Sequence, residues 1–160
     1  MKCLSRLEAQ HMNPKHELPD AIYERNYVYN FHYHLIWTTK YRHPVFTTTA
    51  LVGEMKDILC SLAAQMEVAI EEMEVMEDHV HLLLSFKPKY APTNIVKNPK
   101  SSSTRIFLHR HPEIKAAQFW GGYLWSHSYC MSTLGNMSKT TAEKYIRSQY
   151  CNKKGNSSPD

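Results

Sequence analysis

Between residues 27 and 39 the chain reads YVYNFHYHLIWTT, with large apolar side chains on alternate positions. Tyr29, Phe31, Tyr33, Leu35 and Trp37 share one face; Val28, Asn30, His32, His34 and Ile36 share the other. A period of two with many aromatic residues predicts a strand whose apolar face meets the core. Over residues 47–66 the period changes. Leu51, Val52, Met55, Ile58, Leu59, Leu62, Ala63 and Met66 form one stripe at helical spacing, which reads as the core face of a helix. The threonines before it can cap that helix, and Glu54 suits its first turn. Residues 68–76, VAIEEMEVM, predict a strand whose alternation slips at Glu71-Glu72, a place for a bulge. Glu77-Asp78 then makes a tight polar turn into DHVHLLLSF (78–86). There Val80, Leu82, Leu84 and Phe86 lie on one face, and His79, His81, Leu83 and Ser85 on the other.

The second half is less regular. Residues 91–114 read as helical but interrupted, with Asn98-Pro99 placed as a cap and a first-turn proline where a helix starts or restarts. Residues 121–135 read as a strand with Tyr123, Trp125, Tyr129 and Met131 on one face. Residues 138–153 read as a last helix, with Thr140 and Glu143 at capping-box spacing. The order β-α-β-β-α-β plus a helix predicts an α+β fold with a ferredoxin-like antiparallel sheet and an extra C-terminal helix. Helices would cover one face of that sheet. Its first and third strands would be neighbours, so His32, His34, His79 and His81 would share the open face. Residues 1–25 are expected to be a loose lead-in, 26–151 one domain and 152–160 a flexible tail.

Composition narrows the class. The 160 residues are 42% hydrophobic and 21% charged, enough to build a core. The net charge of +4 permits a nucleic-acid partner without demanding one. Four cysteines, at 3, 60, 130 and 151, form no C-x-x-C pair, which argues against a zinc ribbon and for free thiols in a reducing compartment. The N-terminal residues lack a signal-peptide profile, and no apolar run approaches the ~18 residues of a membrane span. These features predict a soluble, cytoplasmic protein.

Three His-x-His runs carry the candidate chemistry: His32/His34, His79/His81 and His109/His111. On a strand such a pair projects from one face, about 6.5–7 Å apart at the backbone, and two imidazoles can converge on one ion. They leave coordination positions open for a third ligand, water or a phosphate oxygen. On a helix the same spacing puts the side chains about 200° apart, so His109 and His111 cannot share a metal there. By itself a strand His-x-His is more often an ordinary polar face. His32 and His34 have suitable strand geometry as well. His79 and His81 are preferred because they open their strand beside an acidic turn, near the sheet edge. In EKYIRSQY, Tyr145 and Gln149 stand at i and i+4 and would face one spot. A tyrosine oxygen can attack phosphorus and hold it as an ester, and an amide oxygen can complete a metal site.

The blocks YHLIWTTKYRHPVF, EVMEDHVHLLLSF, LWSHSYCMSTLG and EKYIRSQ occur in order across residues 27–150. Together they resemble the small single-tyrosine transposases of the HUH superfamily, encoded by insertion sequences that move as single-stranded DNA. The resemblance implies that His79 and His81 are metal ligands, Gln149 the third ligand and Tyr145 the nucleophile, carried on the C-terminal helix. It implies magnesium or manganese, cleavage and rejoining through a 5′-phosphotyrosine without ATP, a homodimer, and recognition of a subterminal DNA hairpin in a prokaryotic cell. Lys97, Lys100 and Arg105 are expected to line a phosphate-binding surface, and Lys40, Tyr41 and Arg42 to hold DNA near the site. Most aromatic residues, Tyr33 and Trp125 among those considered for base stacking, are expected to be core.

The chain departs from the family in three places. Glu77 stands where a proline is usual, which should alter the turn and not the ligands. Asn98-Pro99 is expected to kink the second helix, and the lead-in is long. Two other readings remain open at this stage: a domesticated repeat-associated HUH nickase, and a non-enzymatic single-stranded nucleic-acid-binding protein of ferredoxin-like fold. The second predicts tolerance of Tyr145→Phe and no metal requirement.

Overall fold

The computed structural model describes residues 21–23, 25, 28–119, 121–133 and 144. Of the predicted last helix only Lys144 is described; Tyr145 and Gln149 lie outside the described residues, as do residues 1–20 of the lead-in and the tail.

The alternating stretch at 27–39 is two strands, not one. Ile22–Tyr23 (β1) pairs antiparallel with Val28–Tyr29 (β2) in a small separate sheet, whereas His32–Thr38 (β3) joins the main sheet. Alternation reports which face a residue occupies and not which strand it pairs with, so the change of partner at Asn30-Phe31 leaves no mark in the pattern.

Thr49–Gln65 forms α1, and the Thr48 side chain caps it by accepting from the Leu51 amide at 3.3 Å. Glu54 falls beyond the first turn, contrary to the sequence expectation, and reaches across to Arg110 and His111 instead. Ala69–Val75 (β4) pairs with His79–Ser85 (β5), and the register shifts between Ile70 and Glu72, so the bulge sits at Glu71.

Pro92–Arg110 is one continuous helix (α2) starting with proline in its first turn, and Pro99 lies inside it. The expected start at Asn98-Pro99 is therefore not found. Pro99 forfeits a backbone hydrogen bond, but Ile95, Val96, Phe107 and Leu108 of the same helix are all buried in the core. Their packing carries the helix across the break. A short helix, Pro112–Gln118 (α3), follows. The last described strand is only Cys130–Thr133 (β6), much less than the predicted 121–135. Gly122, at φ 78, turns the chain early. Lys100 Nζ then holds the carbonyls of Ser126 and Ser128, at 2.6 and 2.9 Å, and so keeps this stretch in a loop.

The main sheet has the order β4-β5-β3-β6 with all pairings antiparallel, the ferredoxin-like arrangement. Leu35, Trp37, Val80, Leu82 and Leu84 pack on one face with Met55, Ile58 and Leu59 of α1 and Ile95 and Phe107 of α2. Trp125 is core too, edge-on to Trp37, and Tyr33 stacks on Phe86. No described helix is long and apolar enough to cross a membrane.

Candidate active site

The β3–β5 register sets Thr38 opposite His79, Ile36 opposite His81, His34 opposite Leu83 and His32 opposite Ser85. All eight residues therefore lie on the face turned away from the two long helices. The four histidines do share that face, but they do different things. The rings of His79 and His81 lie 5.0 Å apart, centre to centre. His34 reaches diagonally to His81, its Nε2 3.1 Å from His81 Nδ1. His32 turns away: its Nδ1–H donates to Glu71, the bulge residue, at 3.0 Å, with His32 buried and Glu71 partly so.

His79 is held from the turn that precedes it. Its Nδ1–H donates to Asp78 Oδ1 at 2.5 Å, and Arg42 Nε donates to Asp78 Oδ2 at 2.9 Å. Burial works to raise the Asp78 carboxyl, but the hydrogen bonds from His79 and Arg42 outweigh it and hold the group below its ordinary value. Burial lowers His34 as well. It pushes His81 down to about 4, with smaller contributions from the neighbouring His79 and His34 charges. At neutral pH the His81 imidazole is thus uncharged, the form that ligates a metal.

The donor set fits a divalent cation in part. Nδ1 of both rings is engaged by a neighbour, which leaves Nε2 of His79 and of His81 for an ion on the open face. Among the described residues no group of three His, Cys, Asp or Glu side chains has metal-site geometry. The two described histidines could supply two ligands to a divalent cation, which would need a further one. His109 is exposed on the far helix, and His111 binds Glu54 and Glu113 there.

The Lys40-Tyr41-Arg42 turn is built into this corner. Tyr41 and Arg42 both have left-handed backbones, at φ 57 and 54, each costing on the order of 1 kcal/mol for a residue with a side chain. The strain is held by backbone hydrogen bonds from Thr39 to the Asp78 carbonyl and from Lys40 to the Leu124 carbonyl, both 2.8 Å. Val45 and Phe46 amides donate to the Glu77 carbonyl, so the non-proline turn is clamped from the same side. Tyr41 is 77% exposed, and Lys40 Nζ lies 5.3 Å above the ring of exposed Tyr123.

Beside this corner a groove of about 930 Å³ runs between α2 and the 122–129 loop. Lys97, Arg105, His109, Lys115, Tyr123 and His127 are among its lining residues, and no described carboxylate is. Lys100 also lines it, but its ammonium donates to the carbonyls of the loop, and burial lowers its pKa. It builds the groove wall. Thr38, the cross-strand neighbour of His79, donates to Ser126 of the loop at 3.1 Å, so the groove is joined to the strand end that carries the histidines.

The sequence singled out His79 and His81 as candidates without naming Asp78 or His34 as their partners. An acid immediately before the first histidine was the available signal for Asp78. The His34 contact is visible only once the register is known.

Comparison with known proteins gives the same picture. The family model for IS200-like transposases matches residues 27–149. The chain is 46% identical over 130 residues to the ISDra2 transposase TnpA of Deinococcus radiodurans, covering 79% of this chain and 89% of that protein. It is 28% identical over 127 residues to the transposase for insertion sequence element IS200 of Salmonella typhimurium, covering 76% and 78%. The crystal structure of a candidate transposase from Deinococcus radiodurans superposes with a TM-score of 0.66 at 39% identity, over 80% of this chain and 97% of that one. A REP-associated tyrosine transposase bound to a REP hairpin shares the fold, with a TM-score of 0.53 at 12% identity over 84% and 74%. With the histidine pair in place on its sheet and this extent of likeness, the chain belongs to the IS200-like family of transposases, the single-tyrosine HUH enzymes that cleave and transfer DNA strands.

Proposed function

We propose that the protein cleaves and rejoins single-stranded DNA at the ends of an insertion sequence, through a tyrosine ester and with a divalent cation. The observation that carries this reading is the pair His79/His81, each ring engaged at Nδ1 and left open at Nε2. These two nitrogens and the Gln149 side-chain oxygen would hold magnesium or manganese. When bound, the ion draws charge from the scissile phosphate and makes phosphorus a better electrophile.

The tyrosine does the covalent work. The Tyr145 oxygen attacks phosphorus, the bond to the 3′ oxygen breaks, and the tyrosine proton ends on the released 3′-hydroxyl. The 5′ side remains as a phosphotyrosine ester. The reverse step, a 3′-hydroxyl attacking that ester, rejoins DNA without ATP. Excision and rejoining of two ends need two nucleophilic tyrosines, which favours a homodimer of a chain with one such tyrosine, Tyr145.

The strand would lie in the groove along α2. Lys97 and Arg105 would meet phosphates, Tyr123 and His127 offer ring faces to bases, and the Lys40-Tyr41-Arg42 turn would guide the strand to the histidines. A subterminal hairpin is the proposed recognition element, as in the hairpin-bound relative.

The test is a cleavage assay on labelled single-stranded DNA carrying the hairpin and flank found beside the gene. Wild type and Tyr145→Phe are compared with magnesium, manganese or chelator. A metal-dependent covalent adduct, lost in the variant, is the expected result. Hairpin binding with no adduct under either metal would replace this reading with a binding role.

A further inference from the structure

We propose that His34 is a positioning residue that holds His81 in the one tautomer able to ligate a metal. This rests on the metal reading of His79 and His81 above. His34 and His81 are diagonal neighbours on adjacent strands, since His34 pairs with Leu83 and His81 with Ile36. Their rings are inclined by only 20°, with centres 5.3 Å apart and Nε2 of one 3.1 Å from Nδ1 of the other. That is the geometry of two imidazoles joined edge to edge by a single N–H···N hydrogen bond.

One proton serves this bond, and it has two placements. If His34 Nε2–H donates, neutral His81 carries its own proton on Nε2 and has no lone pair there for a cation. If His81 Nδ1–H donates, the Nε2 lone pair is free for the ion. Only the second placement makes His81 a ligand, and it requires His34 to present a bare Nε2.

His79 has the equivalent partner in Asp78, which accepts from its Nδ1–H. The two ligands are thus held in the same way by different chemistry, a carboxylate for one and a neutral imidazole for the other. The difference has a use. A second carboxylate would cancel more of the cation's charge, whereas an imidazole fixes the tautomer and leaves that charge for the phosphodiester.

The experiment uses the full chain. In metal-free wild type, nitrogen-15 correlation spectra of the histidine rings should show His81 protonated at Nδ1. Manganese titration should find His34→Leu weaker than wild type by about 10–100-fold, the usual cost of losing an outer partner. His34→Gln, whose amide oxygen can still accept, should recover most of that loss, which a merely structural role would not explain. His81 protonated at Nε2, or a folded His34→Leu protein with wild-type manganese affinity, overturns the proposal. His81→Ala separates the two readings. Manganese binding that survives it overturns the metal site itself, whereas binding lost there but kept in His34→Leu overturns only the role of His34. The spectrum of the wild type decides the matter if His34→Leu does not fold.

Discussion

His79 and His81 stand on β5, His109 and His111 at the end of α2, and both pairs are spelled His-x-His. On the strand two residues return the chain to the same face, and the rings meet 5.0 Å apart. At the end of α2 the same step crosses out of the helix, since His111 is the junction residue before α3 with a non-helical backbone: His109 is exposed on the groove side, while His111 sits between two carboxylates, Glu54 at 2.6 Å and Glu113 at 3.1 Å. The electrostatics diverge as well. Burial makes His81 a neutral base, whereas the hydrogen bond to Glu54 raises His111 above its ordinary value and so favours its charged form. The same residues at the same spacing give a neutral ring beside a second imidazole in one place and a ring bound by two carboxylates in the other. The element beneath the pair decides which.

The widest separation between the two pairs should come from single alanine substitutions read on DNA cleavage. His81→Ala is expected to cost more than the about 100-fold that loss of an outer partner costs at most, because on the proposed reading it removes a ligand. His111→Ala should leave the cleavage rate per folded molecule near wild type. Equal losses in the two variants would mean that β5 holds no site distinct from α2.

A second comparison lies within β3, where His34 faces the site and the next residue, Leu35, is fully buried in the core. Leu35→Ala should destabilise the fold by about 2–5 kcal/mol in urea unfolding, since it deletes buried methyl groups and leaves a cavity. The same measurement on His34→Gln should move little. A Leu35→Ala protein as stable as wild type would place the core on the wrong face of the sheet.

Faces were legible in the sequence because strands and helices repeat with fixed periods. The stripe of α1, the bulge at Glu71 and the apolar row Val80-Leu82-Leu84 all follow from that. That β3 and β5 are neighbours followed from the order of elements, but the register between them and the change of partner before β3 were not legible. Nothing in the alternation from Tyr27 to Thr39 says that β2 joins one sheet and β3 another, or that His34 lies diagonal to His81. Pro99 misled because its local rule, a helix start, lost to the packing of Ile95 and Phe107 on either side. The 121–135 stretch misled because its aromatic residues resemble a strand, while the carbonyls of its middle are bound by Lys100 from another element. In the site, residue types gave the candidate histidines, but their partners Asp78 and His34 depend on contacts that only the folded chain makes.

Asp78→Asn sharpens the comparison inside the site. The amide can still offer an oxygen to His79 but loses the charge that also holds Arg42. Manganese affinity is expected to fall by about 10–100-fold, with the fold retained. An unchanged affinity would show that the Asp78 charge does nothing for His79.

The smallest effect belongs to His111 and appears only against pH. Its pKa is raised above 6.5, first by the hydrogen bond to Glu54 and then by Glu113, against an opposing push from burial. A raised pKa means that the folded state holds the proton more tightly than the unfolded chain. Its stabilisation is therefore complete below pH 6.5 and fades as pH climbs through the raised value. For Glu54, burial pushes upward, but the hydrogen bonds from His111 and Arg110 outweigh it and hold the pKa below 4.5. That contribution is present above pH 4.5 and fades as pH falls through the lowered value. The pair thus stabilises most between the two ordinary values, pH 4.5 and 6.5. Melting temperatures of wild type and His111→Gln, measured across mildly acidic to alkaline pH, should differ most near pH 6 and converge on the alkaline side. A difference that stays constant with pH would mean that His111 acts there by packing against Phe107, whose ring centre is 4.6 Å away, and not as a charge.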